Sequence, residues 1–146
     1  MMTYHKNNEA GFTLIEIMVV VVILAILATL VVPRVMDRPG QARIVKAKQD
    51  IRTIESALGL YKLDNFIYPT TDQGLEALVT MPQSAPEPPN WKSEGYLSRM
   101  PKDPWDRPYL FLSPGLHGAI DIYSLGADGI EGGEGDNADI GNWNLE

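Results

Sequence analysis

The chain has 146 residues, 12 Lys and Arg against 19 Asp and Glu, and no cysteine. That length suits one globular unit rather than two, the net charge of −7 argues against a general nucleic-acid binder, and the missing Cys excludes disulfides, thiolate metal sites and cysteine nucleophiles. The charge is concentrated: Asp121, Asp128, Glu131, Glu134, Asp136, Asp139 and Glu146 close the chain with no Lys or Arg among them, which on composition alone reads as a solvated acidic run.

Residues 1–11 are short and polar. From Phe12 to Val32 the only polar residues are Thr13, Glu16 and Thr29. As a helix this run spans about 31 Å, enough for the hydrocarbon core of a bilayer. It is apolar all round, so it needs a membrane or a buried site. A cleavable secretory signal would have an apolar core of about 7–15 residues followed by a small-residue cleavage site. This run is longer and ends in Val31-Val32-Pro33-Arg34, so a retained span is expected. Pro33 should kink or break the helix, because it lacks an N–H and its ring crowds the preceding turn. Pro39-Gly40 is a second punctuation.

Beyond it, Ile44, Ala47, Ile51, Ile54, Leu58 and Tyr61 recur at spacings of 3 and 4, one apolar stripe on a helix. Arg43, Lys46, Lys48, Gln49, Asp50, Arg52 and Glu55 occupy the other face. Tyr68-Pro69-Thr70-Thr71 marks a turn, with a short helix expected over Leu75 to Val79. Four prolines between 82 and 90 make a loop. Tyr109 to Leu112 and Ala119 to Leu125 are β-type runs, joined by a hairpin connection over Ser113 to Gly118. From Gly126 the chain is Gly- and Asp-rich loop.

Glu16 is the oddity of the apolar run. A carboxylate there costs several kcal/mol unless it finds a partner or stays wet at an interface. With its surroundings, Ala10-Gly11-Phe12-Thr13-Leu14-Ile15-Glu16-Ile17-Met18-Val19-Val20, it resembles the N-terminal signature of type IV pilins and pseudopilins. The resemblance implies a leader at 1–11 cut by a prepilin peptidase between Gly11 and Phe12, N-methylation of Phe12, a transmembrane and polymerisation helix at 12–33, and a periplasmic globular domain at 34–146. It also places the leader in the cytoplasm, against the count of Lys6 alone before the span and Arg34, Arg38, Arg43, Lys46 and Lys48 after it. It gives Glu16 an assembly role, pairing with the amine of a neighbouring subunit's Phe12. Such a pairing removes two isolated charges from an apolar bundle and fixes one axial register.

Further segments resemble the major pseudopilins of type II secretion systems in particular. They are Tyr68-Pro69-Thr70-Thr71-Asp72-Gln73-Gly74-Leu75-Glu76-Ala77-Leu78, Pro101-Lys102-Asp103-Pro104-Trp105-Asp106-Arg107-Pro108-Tyr109, Ser124-Leu125-Gly126-Ala127-Asp128-Gly129, and Ala138-Asp139-Ile140-Gly141-Asn142-Trp143. Physically, Trp105, Pro108 and Tyr109 read as turn and core packing. The resemblance implies an α+β pilin-like fold with the long N-terminal helix on a small antiparallel sheet. It also implies calcium in the C-terminal loop, held by the carbonyl of Leu125 and the side chains of Asp128, Asp136 and Asp139, with Glu131 and Glu134 either lying just outside those ligands or facing solvent. That ion would replace the disulfide of type IV pilins, and oxygen ligands are what calcium takes.

The function so implied is structural. The subunit polymerises into a periplasmic pseudopilus that drives folded proteins across the outer membrane. Implied partners are copies of itself, the prepilin peptidase and methyltransferase, an inner-membrane assembly platform, minor pseudopilins, the secretin channel and the secreted proteins. A surface type IV pilin for adhesion, motility or DNA uptake is the alternative. The missing Cys pair and the acidic surface weigh against it. His5 would leave with the leader, and His117, alone at a hairpin tip, is a poor metal ligand. No catalytic constellation stands out.

Overall fold

A computed structural model describes Met1 and residues 11–36 and 38–146, with side chains described at 11–29 and 39–146. The rest of the expected leader, including His5, lies outside the described residues. The chain divides into two compact units, Met1–Pro39 and Gly40–Glu146.

The first unit is one helix, α1, Leu14–Met36. It starts where the apolar run starts. It does not break at Pro33, as the sequence suggested, but continues to Met36. Every side chain described along it, from Leu14 to Thr29, is exposed. Among the described residues no helix is long and apolar enough to cross a membrane; the side chains described on α1 stop at Thr29, short of the about 20 apolar residues a span needs.

The second unit is built on α2, Arg38–Asn65. Pro39 sits in its first turn, where a missing N–H costs nothing. The stripe read from the sequence faces inward: Ala47, Ile51, Ile54, Leu58 and Tyr61 are buried, and Ile44 packs at their edge. Three short strands provide the opposite wall: β1 Leu110–Leu112, β2 Asp121–Ser124 and β3 Ile140–Gly141. They form one antiparallel sheet in the order β1-β2-β3. Leu112 pairs with Asp121 and Leu110 with Tyr123, so Ser113 to Gly118 is the expected hairpin connection. Phe111, Ile122 and Ile140 carry the sheet's contribution to the core. The short helix is a 3-10 turn, Leu75–Leu78, which seals one side of the core.

β3 was not expected. It lies in the Gly- and Asp-rich tail and pairs with β2 through Ser124–Ile140 and Tyr123–Gly141. Tyr109 is buried and Trp105 packs on the core, as anticipated, but Pro108 is exposed. Asn65 closes α2. Its buried amide donates to the Tyr61 carbonyl and the Tyr96 hydroxyl, and its oxygen accepts from Asn90 N–H.

Candidate functional site

Three places carry the chemistry. The first is the start of α1. Gly11 and Phe12, the expected scissile pair, are non-helical and exposed. Glu16 folds back on Thr13: its carboxylate accepts the Thr13 amide at 3.4 Å, and the Glu16 amide donates to the Thr13 hydroxyl at 3.3 Å. This is a reciprocal capping box, written in the sequence as Thr13-x-x-Glu16. The carboxylate also lies at the positive end of the helix dipole. Reading Glu16 only as a charge in an apolar run misses this local partner.

The second is the C-terminal loop. Gly126 turns the chain at φ 64, where a Cβ would collide with the Asn137–Ala138 backbone, so only glycine fits. The Ala127 amide then donates to the Asp136 carbonyl at 2.8 Å and closes the loop. Asp128 is exposed and accepts from the Ile130 amide. Asp139 accepts the Gly132 amide through Oδ2 at 2.9 Å, while its Oδ1 is buried with no hydrogen-bond partner. Asp136 is set against Gly40, where a Cβ would strike its carboxylate, an anion beside the first turn of α2. Glu131 and Glu134 face solvent. Among the described residues no three His, Asp or Glu side chains gather around one metal position.

One cation does reach the loop. The Arg107 guanidinium lies against Gly129 and donates to the Gly126 carbonyl. Arg107 is itself set by Asp103, a buried carboxylate that sequence reasoning overlooked. Asp103 accepts the amides of Trp105 and Arg107 at 3.0 and 2.8 Å and the Ser124 hydroxyl at 2.7 Å. Leu125 lines a small cavity beside this pair.

The third place was also missed. A cavity of about 320 Å³ opens between the β1–β2 connection and the loop, walled by Leu112, Leu116, His117 and Trp143, with Glu131 and Asp139 at its edge. His117 and Trp143 stack at 3.8 Å. Below them Asp121, almost wholly buried, accepts the Leu116 amide at 2.8 Å and faces His117 Nδ1 at 2.9 Å. Burial alone would raise the Asp121 carboxyl. The His117 ring and the Leu116 and His117 amides outweigh it and hold the group below the usual carboxylate range. The signal was an Asp in an apolar strand, four residues after a His.

Residues 34–143 match the family of "Type II secretion system (T2SS), protein G", and residues 6–32 match the "Prokaryotic N-terminal methylation motif". The chain is 62% identical over 138 residues to the type II secretion system core protein G of Pseudomonas aeruginosa, covering 94% of this chain and 97% of that one. It is 59% identical over 140 residues to the corresponding protein of Vibrio cholerae, covering 96% and 95%. A crystal structure of the major pseudopilin from the type 2 secretion system of enterohaemorrhagic Escherichia coli superposes with a TM-score of 0.68 at 47% identity, covering 77% of this chain and 96% of that one. With its pilin-like fold and its N-terminal motif, the chain belongs to the type II secretion system protein G family, the major pseudopilins, which are structural subunits and not enzymes.

Proposed function

We propose that the mature chain, residues 12–146, is held in the bacterial inner membrane by residues 12–33, with residues 34–146 in the periplasm. There it polymerises into the pseudopilus and so drives folded proteins across the outer membrane. The observation that carries this reading is α1, capped by Thr13 and Glu16 and exposed along all its described apolar side chains. A helix of that kind is made to be covered by something other than water. Membership of the protein G family favours this reading over a surface type IV pilin.

Processing follows from the methylation motif. Gly11/Phe12 is the cleavage point and Phe12 the methylated terminus. Once Phe12 becomes an amine, Glu16 exchanges its Thr13 amide for a full opposite charge on a neighbouring subunit. The assembly platform, minor pseudopilins, secretin and secreted proteins are the further partners. Mass spectrometry of the chain from wild-type cells should find residues 12–146 with one methyl group on Phe12. An intact leader would overturn the reading.

Calcium is the proposed stabiliser of the loop, through the Leu125 carbonyl and Asp128, Asp136 and Asp139. The donor set is hard oxygen, and the buried, unpartnered Oδ1 of Asp139 supports it. A bound ion would hold together a glycine-rich loop of like charges. Calcium at about 100 times its dissociation constant should raise stability by about 2.7 kcal/mol. Thermal melts with and without chelator should therefore separate, and coincident melts would remove the ion from the account.

A further inference from the structure

The proposed calcium loop is entered through Ser124, Leu125 and Gly126, and that entry is held by a segment far away in sequence. Residues 102–108 form a tight loop of their own. Lys102 and Pro108 make an isolated antiparallel bridge, the Asp103 amide donates to the Arg107 carbonyl at 2.7 Å, and the Asp106 amide donates to the Asp103 carbonyl at 3.0 Å. Tyr109, buried in the core, fixes the chain that follows. The positions of Asp103 and Arg107 are thus set by their own loop and not by the acidic one.

Two side chains run from this segment to the loop entry. The Asp103 carboxylate, 1% exposed, accepts the Ser124 hydroxyl at 2.7 Å. The Arg107 guanidinium faces that carboxylate through Nε at 3.7 Å and donates through Nη2 to the Gly126 carbonyl. Ser124 and Gly126 are the neighbours of Leu125, whose carbonyl is the proposed calcium ligand. Leu125 is therefore anchored on both sides by one ion pair. Further along, Gly129 has φ 70, and a Cβ there would meet Arg107 Nη1. The turn after Asp128 leaves to the guanidinium the room that a side chain would take.

Charge separates two roles for Arg107. A guanidinium that competed with calcium would pair with the ligand carboxylates. Among the described residues its ion pair is with Asp103, whereas Asp128 and Asp139 accept the backbone amides of Ile130 and Gly132. Because a buried carboxylate answers the charge of Arg107, the pair adds little net charge against a dication. The guanidinium fork reaches two acceptors at once, which a point charge on a flexible stem does not. Holding a ligand in place beforehand removes an ordering cost from binding.

We propose that Asp103 and Arg107 are positioning residues for calcium, a brace that sets the Leu125 carbonyl and the turn at Asp128 before the ion binds. This rests on the calcium reading of the loop and adds to it residues outside the ligand set.

Calorimetric titration of calcium into the full chain in detergent tests the brace. Groups that hold a metal's ligands in place are worth about 10–100-fold in affinity, so Arg107→Gln should weaken binding by about tenfold or more. Arg107→Lys keeps the charge but not the fork and should fall between Arg107→Gln and the parent. Ile54→Ala is the control for stability: it lowers the melting temperature and should keep the parental affinity. Parental affinity in Arg107→Gln would overturn the brace, and tighter binding would make Arg107 a competitor instead. A loss in Ile54→Ala as large as that in Arg107→Gln would overturn it too. The second measurement needs no ion. In chelator, hydrogen exchange at the Ala127 amide, which closes the loop on Asp136, should quicken about tenfold in Arg107→Gln, while exchange over Ile51 to Leu58 stays parental. Unchanged exchange at Ala127 would overturn the brace. Should Arg107→Gln not fold, Arg107→Lys carries both measurements, and parental values in it would overturn the brace. A parental chain that takes up no calcium would overturn the calcium reading and the brace with it, a result distinct from calcium uptake that Arg107→Gln leaves unchanged.

Discussion

Asp121 keeps a full negative charge with almost no access to water. It does so because three donors converge on it: the His117 ring and the amides of Leu116 and His117. Its lowered pKa is a statement about stability. In the unfolded chain the group takes up its proton first, near the ordinary value of about 4. Its stabilisation is therefore complete above that value and is lost as pH falls through the lower folded value. Asp121→Asn should cost about 1–3 kcal/mol at neutral pH, since at least one converging donor loses its acceptor charge. It should also flatten the acid limb of a stability-versus-pH curve followed by circular dichroism. An unchanged acid limb would assign that titration to another carboxylate.

At the scale of elements, α2 shows two faces with different purposes. Ile54 is fully buried between the sheet and the rest of the core. Ile54→Ala should cost about 2–5 kcal/mol in urea denaturation of the full chain in detergent. Leu63→Ala, on the outer face, should stay within about 0.5 kcal/mol. Equal losses would mean that the outer face is covered within the subunit.

The inner stripe was legible because burial against one surface imposes the helical period on Ala47, Ile51, Ile54, Leu58 and Tyr61. The hairpin was legible because turn residues separate two β-rich runs. Neither signal exists for β3. Ile140–Gly141 is too short to alternate, and it is a strand only because β2 offers an edge. The exposed Leu60 and Leu63 on the other face of α2 escaped because periodicity ranks residues by the face they share, not by whether that face is covered. Glu16 was found by its charge, although the Thr13 that caps it stood in plain view. In the loop, the acidic residues could be read as ligands, but their actual partners could not: Gly132 for Asp139 and Gly40 for Asp136 are tertiary encounters.

For the whole molecule the question is how a subunit leaves one environment for another. If Glu16 meets the amine of a neighbour's Phe12, Glu16→Ala should leave membrane insertion unchanged and abolish filaments seen by electron microscopy. On that reading, its removal takes away the carboxylate that fixes the register. Normal filaments from that variant would sink the pairing.

The all-round exposure of α1 has an energetic consequence for assembly. On the proposed reading α1 passes from lipid tails to a bundle of like helices, both oily surroundings, so its contact with water changes very little. Growth of the filament then gains little from the hydrophobic effect along that helix. The balance between stored and assembled subunits then falls to the few polar groups at its start and to contacts outside that helix. On the proposed reading, a fibre poised in this way can be lengthened and taken apart with modest work per subunit.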